Sequence, residues 1–413
     1  MDRAQTPAGF NAAALAQVGP ALQGLVDQAA LSGAVTLVWR KGEIVQALTI
    51  GHRDIEAGLP MTRDTLFRIA SMTKPVTSIA VMMLVEEGKL KLTDPVTRWL
   101  PELADMVVLN DPAGALDATT PAARDITVED LLTHRSGLAY AFTSMGPIAH
   151  AHHENLGSPL VNPLTPDVWL KALGELPLSH QPGDRFHYSH ATEVLGFLLA
   201  RIEGKPLGQV LQDRIFGPLG MTDTAFWVPP EKRGRMAKLY EAPLEGPLTD
   251  VSLPLGDAPS PFEGGGGGLI STADDYLKFA RMMLGGGEVD GVRLVTPQTI
   301  ALMAENRLSD EQRGHGFMGL PFWLSQGFGL GLSMILDAEK HQWMGAGAEG
   351  AYGWPGAFGT WWQADPVNEM ILIYLIQDNM PLGPEAVTAM QSQRPTGRIG
   401  GPMFQKIVYG ALG

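Results

Sequence analysis

Ser71-Met72-Thr73-Lys74 is the stretch of sequence that decides the fold, and it opens an amphipathic segment. Between Thr73 and Glu87, apolar residues recur every three or four positions, which predicts a helix packed on a core: Val76, Ile79, Ala80, Met83 and Leu84. Ser71 and Lys74 then share one helix face. Free backbone N–H groups at the helix start favour the charge of a developing oxyanion. The tetrad predicts a serine nucleophile whose proton is taken by lysine. By itself it also fits an N-cap serine followed by a solvated lysine.

Tyr188 stands in the second informative segment, Pro182-Gly183-Asp184-Arg185-Phe186-His187-Tyr188-Ser189-His190. Pro-Gly is typical of a turn, so we expect Tyr188 on a loop that enters a helix and faces a cleft. A phenol near the lysine ammonium is suited to act as general base and then as general acid. The alternative is a tyrosine held by packing, with its hydroxyl satisfied locally.

The third segment is rich in glycine and aromatic residues: Tyr352-Gly353-Trp354-Pro355-Gly356-Ala357-Phe358-Gly359-Thr360-Trp361-Trp362. This composition predicts an edge strand whose backbone closely approaches another group. A backbone N–H here, directed at the same point as the N–H of Ser71, would complete an oxyanion hole. The alternative is a glycine-rich hairpin with aromatic packing.

In this order, the three segments resemble the serine β-lactamase and penicillin-recognising superfamily, in particular class C β-lactamases and family VIII carboxylesterases. Three supporting stretches are similar to the same family: Leu131–Leu138, Gly217–Met221 and Gly266–Tyr276. The resemblance runs from about Gly33 to the C-terminus. It implies an α/β (α+β) fold of the β-lactamase type, with an antiparallel sheet flanked by helices and a mostly helical inserted subdomain.

The resemblance also implies roles for individual residues. Ser71 matches the nucleophile, Lys74 the activating lysine, Tyr188 the acid/base, and the N–H groups of Ser71 and Ala357 the oxyanion hole. His190, Trp354 and Gly356 match substrate-binding positions. Two departures stand out. Trp354-Pro355-Gly356 replaces the usual Lys-Thr-Gly and is similar to the Trp-Gly-Gly of family VIII esterases, and His190 replaces an asparagine. Losing the cation that would face a β-lactam carboxylate favours neutral esters.

The hydrophobic pattern predicts how the chain is organised. Strands are expected at 33–39, 43–50, 331–336, 356–363 and 369–375, with a hairpin at Lys41-Gly42, and helices at 12–30 and 402–412. Thr127 or Asp125 is the expected cap of a helix that ends at Leu132. We predict an α/β subdomain from residues 1–80 and 263–413, and a mostly helical subdomain from 81–262. The active site should lie at the seam between them.

Composition narrows the classes of function. The 413 residues carry a net charge of −14, which disfavours nucleic acid and anionic membrane surfaces as partners. There is no cysteine, so thiol chemistry and disulfides are excluded. No apolar run approaches a spanning length, and Met1–Pro7 does not resemble a signal peptide, so a cytoplasmic location is expected. His150, His152, His153 and Glu154 lack a second ligand cluster, so neither a metal nor a cofactor is predicted.

These observations leave a leading function and two alternatives. The leading hypothesis is a serine carboxylesterase that hydrolyses short-chain neutral esters, its small-molecule partners, through an acyl-enzyme on Ser71. The first alternative is a β-lactamase, D-amino-acid peptidase or acyltransferase of the same fold. The second is a catalytically silent binding homologue. No serine has the G-x-S-x-G surroundings of an α/β-hydrolase. The oligomeric state is not predicted.

Overall fold

An eight-stranded antiparallel sheet organises the computed structural model, which describes residues 8–242, 246–318, 320–379 and 396–413. The strands are β1 (Gly33–Arg40), β2 (Glu43–Asp54), β3 (Leu59–Pro60), β4 (Gln326–Phe328), β5 (Ser333–Ile335), β6 (Tyr352–Gly353), β7 (Trp361–Asp365) and β8 (Met370–Leu375). Their spatial order is β4-β5-β6-β7-β8-β1-β2-β3. The two ends of the chain therefore build one sheet, as the sequence predicts.

The join between the two chain ends is the pairing of β1 with β8, in which Val35 lies opposite Leu375 and Arg40 opposite Met370. The β1–β2 hairpin turns at Lys41 and Gly42, whose φ angles are 49° and 94°. Two consecutive left-handed residues are typical of the hairpin turn whose twist matches that of the strands. The predicted hairpin is confirmed.

Alternate residues of β8 enter two different cores, because successive side chains of a strand point to opposite faces. Ile371, Ile373 and Leu375 lie in the larger core, which also holds Tyr276 and Phe279. Met370, Leu372 and Tyr374 pack in a second core with Leu22 and Phe404, from helices near the two chain ends. The sheet is therefore covered by helices on both faces.

The longer helices are α1 (Val18–Asp27), α2 (Thr73–Glu86), α3 (Pro147–Leu156), α4 (Pro166–Gly174), α5 (Ala191–Glu203), α6 (Ala273–Leu284), α7 (Pro297–Met303) and α8 (Gly400–Gly410). Shorter helices are Ala12–Leu15, Val128–Leu132, Leu207–Leu211, Gly217–Leu219, Asp310–Arg313 and Ala338–His341. Small sheets pair Phe67–Arg68 with Ile270–Ser271, Val107–Leu109 with Thr119–Pro121, Glu288–Val289 with Val292–Arg293, and Tyr240–Glu241 with Thr249–Asp250 and Asp378–Asn379.

Three predictions differ from the structure. The predicted strand 356–363 is a strand only from Trp361, because Gly356 N–H donates to Thr360 O (2.7 Å) and Gly359 N–H to Gly356 O (3.1 Å), which closes a turn. Strand β6 lies inside the sheet between β5 and β7, so its prediction as an edge strand is wrong. The predicted helix 12–30 is interrupted between Leu15 and Val18.

The predicted cap is Thr127, whose side chain forms a reciprocal capping box with Asp130 at the start of Val128–Leu132. The subdomain boundaries 1–80, 81–262 and 263–413 stay a prediction. Within the described parts of the chain, no helix combines the length and apolar character needed to cross a membrane.

Candidate active site

Ser71 lies in a short 3₁₀ turn, Ala70–Met72, that leads directly into α2. The turn follows the strand Phe67–Arg68, which is paired with Ile270–Ser271. Ala70 is buried and has a φ of 44°, a left-handed conformation that is uncommon for alanine. Sparsely populated backbone conformations cluster at functional sites, and this one immediately precedes the nucleophile candidate. The predicted position of Ser71 at a helix start agrees with the structure.

Lys74 extends from the first turn of α2 and is almost completely buried, with 1% of its surface exposed. Its Nζ donates to Gly266 O (2.6 Å), Tyr140 Oη (3.2 Å) and Ser71 Oγ (3.3 Å). Three acceptors match the three N–H donors of an ammonium, so the orientation of the side chain is fully determined. Lys74 is therefore held within reach of the serine hydroxyl.

Tyr188 reaches Ser71 from the opposite side of the site. Its Oη donates to Ser71 Oγ at 2.7 Å and accepts from Trp354 Nε1 at 3.1 Å. The Lys74 ammonium lies 4.6 Å from the centroid of the Tyr188 ring. The structure thus brings the three predicted catalytic side chains into mutual contact, although they come from distant parts of the chain.

Tyr140 and Glu193 extend this network, and the sequence analysis assigned neither of them a role. Tyr140 Oη donates to both carboxylate oxygens of Glu193 at 2.9 Å while it accepts from Lys74. Glu193 lies in the first turn of α5 with no exposed surface. A carboxylate inside the apolar run of α5 is the sequence signal that would have drawn attention to it, since unpaired buried carboxylates are rare.

Burial controls the protonation of this pair. Burial, and then the charge of Glu193, raises the pKa of the Tyr140 phenol well above its ordinary value, so it stays a donor. Burial also raises the pKa of Glu193, and the opposing effects of the nearby Lys74 charge and the Tyr140 hydrogen bond are smaller. The network therefore supplies Lys74 with a neutral acceptor and, beyond it, a carboxyl group.

Gly266 lies beside Lys74 at a position that only a glycine fits. Its carbonyl is an acceptor for Lys74 Nζ, and a Cβ built on it would lie 2.4 Å from both carboxylate oxygens of Glu193. No real Cβ contact is that short. Gly266 therefore allows the backbone and the Glu193 carboxylate to surround the same ammonium.

The oxyanion-hole candidates are the backbone N–H groups of Ser71 and Ala357. Among the described residues, the structure gives neither N–H an acceptor. The loop 354–360, which carries Ala357, is fixed to the backbone before Ser71, because Thr360 Oγ1 donates to Ile69 O at 3.1 Å. A Cβ on Gly356 would lie 2.4 Å from the same carbonyl. Gly356 therefore permits the close approach of the loop, and its predicted substrate contact stays a prediction.

The other two predicted substrate-binding residues are buried. Trp354, 2% exposed, presents its indole N–H to Tyr188 and packs its ring against Phe328 (5.0 Å between centroids). His190 is enclosed by the rings of Tyr140 (4.3 Å), Trp169 (5.1 Å) and His152 (5.7 Å). Burial lowers the pKa of His190 well below its usual value. The structure therefore places His190 beneath the site and gives it no open face toward the cleft.

An aromatic wall, defined by Tyr140, Phe142, Phe186, Phe317, Phe322, Trp323, Phe328 and Trp354, surrounds Tyr188. Phe142 stacks on Tyr140 (4.8 Å), and Phe317 packs edge-on against Tyr188 (5.5 Å). Both rings are only partly buried. These two rings therefore leave an apolar part of the wall exposed.

The segment with His150 and Glu154 is helix α3. His150 pairs with Glu154 along the helix at 3.1 Å, while His152 is buried. No cluster of three or more metal-binding side chains occurs among the residues the structure describes.

Comparison with known proteins identifies the family. A family model described as Beta-lactamase matches residues 20–393. This chain belongs to the β-lactamase family. Protein Rv1367c of Mycobacterium tuberculosis (H37Rv) is 52% identical over 391 residues, covering 94% of this chain and 96% of that protein. Esterase EstB of Burkholderia gladioli is 33% identical over 387 residues, covering 87% and 90% respectively.

The fold of this β-lactamase-family chain is also that of a solved structure. EstCE1, described as a hydrolase with promiscuous acyltransferase activity, matches with a TM-score of 0.78 at 25% identity, covering 96% of this chain and 99% of that one. The predicted superfamily and fold class are confirmed, and the likeness to EstB agrees with the predicted family VIII branch. The β-lactamase fold here holds a serine in contact with a lysine and a tyrosine.

Proposed function

We propose that this protein is a serine carboxylesterase that hydrolyses short-chain neutral esters through an acyl-enzyme on Ser71. The observation that carries the proposal is the contact of Ser71 Oγ with both Tyr188 Oη (2.7 Å) and Lys74 Nζ (3.3 Å). These distances suit proton transfer from the nucleophile. The esterase relative EstB supports the reaction class, although its name does not specify a substrate for this chain.

The reaction begins when Ser71 Oγ bonds to the ester carbonyl carbon and its proton passes to the Lys74–Tyr188 pair. The pair can accept this proton when it holds one proton fewer than its full complement. The carbonyl oxygen becomes an oxyanion between the N–H groups of Ser71 and Ala357. The pair then protonates the leaving alkoxide, and the acyl group remains on Ser71.

Deacylation uses the same groups in reverse. A water molecule attacks the acyl carbonyl, gives its proton to the pair, and Ser71 leaves with that proton restored. An alcohol in place of water gives acyl transfer by the same steps. The similarity to EstCE1, described as having promiscuous acyltransferase activity, supports this second candidate activity.

The choice of neutral esters depends on Trp354. Its indole N–H is engaged by Tyr188 and its ring is buried in the aromatic wall, so this position presents no charge to a substrate. A charge-assisted bond to a β-lactam carboxylate would stabilise the complex by about 1.5–3 kcal/mol, and Trp354 offers no cation and no free N–H for one. The half-buried rings of Phe142 and Phe317 suit an apolar acyl or alcohol group instead.

The test compares turnover of p-nitrophenyl butyrate with that of benzylpenicillin and nitrocefin, for the natural sequence and for Ser71→Ala. We expect the ester to have by far the larger kcat/KM, and Ser71→Ala to lose more than about a hundredfold in kcat with an unchanged melting temperature. Comparable kcat/KM values for the ester and benzylpenicillin would assign the protein to the β-lactamases. A Ser71→Ala variant with wild-type turnover would exclude Ser71 as nucleophile.

A further inference from the structure

In the loop that carries Ala357, the backbone carbonyl groups of consecutive residues all accept hydrogen bonds. Three consecutive carbonyls are occupied: Gly356 O accepts from Gly359 N–H (3.1 Å), Ala357 O from Arg398 Nη2, and Phe358 O from Asp378 N–H (3.0 Å). In a trans peptide, the C=O and the following N–H point in opposite directions. The bond to Gly356 O therefore turns the Ala357 N–H away from the turn and outward.

Packing holds only part of this loop, since Phe358 is buried but a cavity of about 210 Å³ borders the loop elsewhere. The lining of the cavity includes Gly356, Gly359, Thr360 and Arg398. Atoms that face a void lack van der Waals partners on that side. Two glycines in a five-residue turn also leave the backbone free to adopt other conformations. Directional hydrogen bonds must therefore fix the orientation of the peptide planes.

Of the three hydrogen bonds to these carbonyls, the bond from Arg398 comes from a side chain and the other two come from backbone N–H groups. It lies in the 3₁₀ turn Gly397–Ile399, immediately before α8, so the C-terminal segment reaches the candidate active site. Its Nη2 donates to Ala357 O and, at 3.3 Å, to Asp378 O. Burial lowers the pKa of this guanidinium, which shows the cost of holding a cation in this place. A neutral side chain would fill the space without that cost.

We infer that Arg398 is a positioning residue for the oxyanion hole: it holds the peptide plane that follows Ala357, while the bond to Gly356 O holds the plane that carries the Ala357 N–H. The two bonds together fix the backbone angles of Ala357 and keep its N–H directed at the oxyanion. The inference rests on the proposed esterase function, because the hole serves acyl transfer on Ser71. Arg398 contacts neither Ser71 nor the reacting atoms in this arrangement. The competing explanation is a purely structural tether between the C-terminal segment and the loop.

The experiment compares Arg398→Met with the natural sequence and with the matched control Arg40→Met. Arg40 is also a partly buried arginine that donates to two carbonyls, Asn368 O (2.9 Å) and Ala8 O (2.8 Å). It pairs with Met370 at one end of β8, whereas the loop precedes Trp361, which pairs with Tyr374 near the other end. For Arg398→Met we expect kcat on p-nitrophenyl butyrate to fall about tenfold or more, with KM within twofold, since losing one oxyanion donor outright costs 10²–10³.

A second readout does not depend on turnover. An alkyl trifluoromethyl ketone forms a hemiketal with the nucleophile, and its oxyanion occupies the hole, so ¹⁹F NMR reports the dissociation constant directly. We expect the dissociation constant of the ketone to rise in Arg398→Met by the same factor by which kcat falls. It should stay unchanged in Arg40→Met. If Arg398→Met does not fold, Arg398→Lys carries the test, with a smaller parallel loss expected because one donor remains.

The outcomes separate the two explanations. If Arg398→Met lowers the melting temperature but leaves kcat and ketone affinity per folded molecule unchanged, Arg398 is only a tether and the inference is overturned. A rise in KM alone would also overturn it. If the natural sequence hydrolyses no ester, the proposed function fails by itself. The ketone signal then still decides the role of Arg398, because adduct formation needs the hole and the nucleophile but no turnover.

Discussion

The phenol of Tyr140 joins the ammonium of Lys74 to the buried carboxylate of Glu193. We expect Tyr140→Phe to lower kcat at least tenfold, because Lys74 loses an acceptor that fixes its direction toward Ser71. The free energy of unfolding should fall by about 1–3 kcal/mol, since a buried carboxylate loses its donor. Urea denaturation and ester kinetics measure the two effects. Tyr409→Phe is the matched control.

Tyr409 also donates to a carboxylate, that of Asp365, but on the C-terminal helix. Tyr409→Phe should therefore reduce stability and leave kcat unchanged. Equal kcat losses in the two variants would mean that Tyr140 affects activity only through general stability. Unchanged kcat in Tyr140→Phe would remove the phenol from the catalytic network.

Lys74 and Tyr188 contact the same oxygen, so their contributions to turnover should not add. We expect Lys74→Ala and Tyr188→Phe each to lower kcat by roughly 10²- to 10⁴-fold. The double variant should be little slower than the poorer single variant, because groups that move one proton act as a unit. A double-mutant cycle with fully additive losses would contradict a shared proton relay.

Ser71, Lys74 and Tyr188 were predictable from the sequence because each lies in a recognisable local motif. Ser71 and Lys74 belong to S-x-x-K, and Tyr188 follows the Pro-Gly turn. Tyr140 and Glu193 were not, since their relation depends on contacts across 66 and 53 positions of the chain. For His190, the place in the motif suggested a substrate contact. The structure buries it against other rings, and that contact stays a prediction.

The segment Gly264–Gly268 packs against the start of α5, and its tightest contact is at Gly266. We expect Gly266→Ala to destabilise the protein by about 1–3 kcal/mol, because the new Cβ forces Glu193 or the Gly266 carbonyl to move. Either movement disturbs Lys74, so kcat should fall as well. Gly234→Ala is the control, since its Cβ would meet nothing within 4 Å. If Gly266→Ala changes neither the free energy of unfolding nor kcat, the close contact with Glu193 must relax without cost.

Strand bounds were predictable in β1 and β8, which are almost continuous apolar runs because both faces of the sheet are buried. The prediction failed at 356–360, because the turn depends on Gly356 lying against the Ile69 carbonyl, a contact distant in sequence. The same glycines were correctly expected to mark a close approach. Composition therefore identified the constraint, but not the conformation that satisfies it.

Across the whole molecule, burial sets the protonation of six histidines among the described residues. Burial lowers the pKa of His152, His187 and His341 to about 4, that of His180 to about 3, and those of His134 and His190 well below 6.5. Four of them, His134, His180, His187 and His190, lie at or beside the loop that enters α5 or pack against it. The folded state thus keeps neutral imidazoles around the candidate active site.

We therefore predict that stability falls as the pH decreases from about 6.5 to about 4. In this window the unfolded chain binds protons that the folded chain excludes, and each histidine contributes a slope of about 1.4 kcal/mol per pH unit. The raised pKa values of Glu193, Glu263 and Asp378 (about 6) oppose this trend, since those carboxyls bind protons in the folded state. They are fewer than the histidines, so the net effect should be acid lability, measured as urea midpoints at pH 7 and pH 5.

Two histidines of helix α3 allow a matched test of this cause, because His152 is buried and His150 is exposed on the same helix. His152→Gln removes one imidazole that the folded state holds neutral. The loss of stability between pH 7 and pH 5 should therefore shrink by about 1–2 kcal/mol, the value of nearly one proton over that interval. His150→Gln should leave the pH dependence as it is. If both variants keep the wild-type slope, the acid lability arises from groups other than the buried imidazoles.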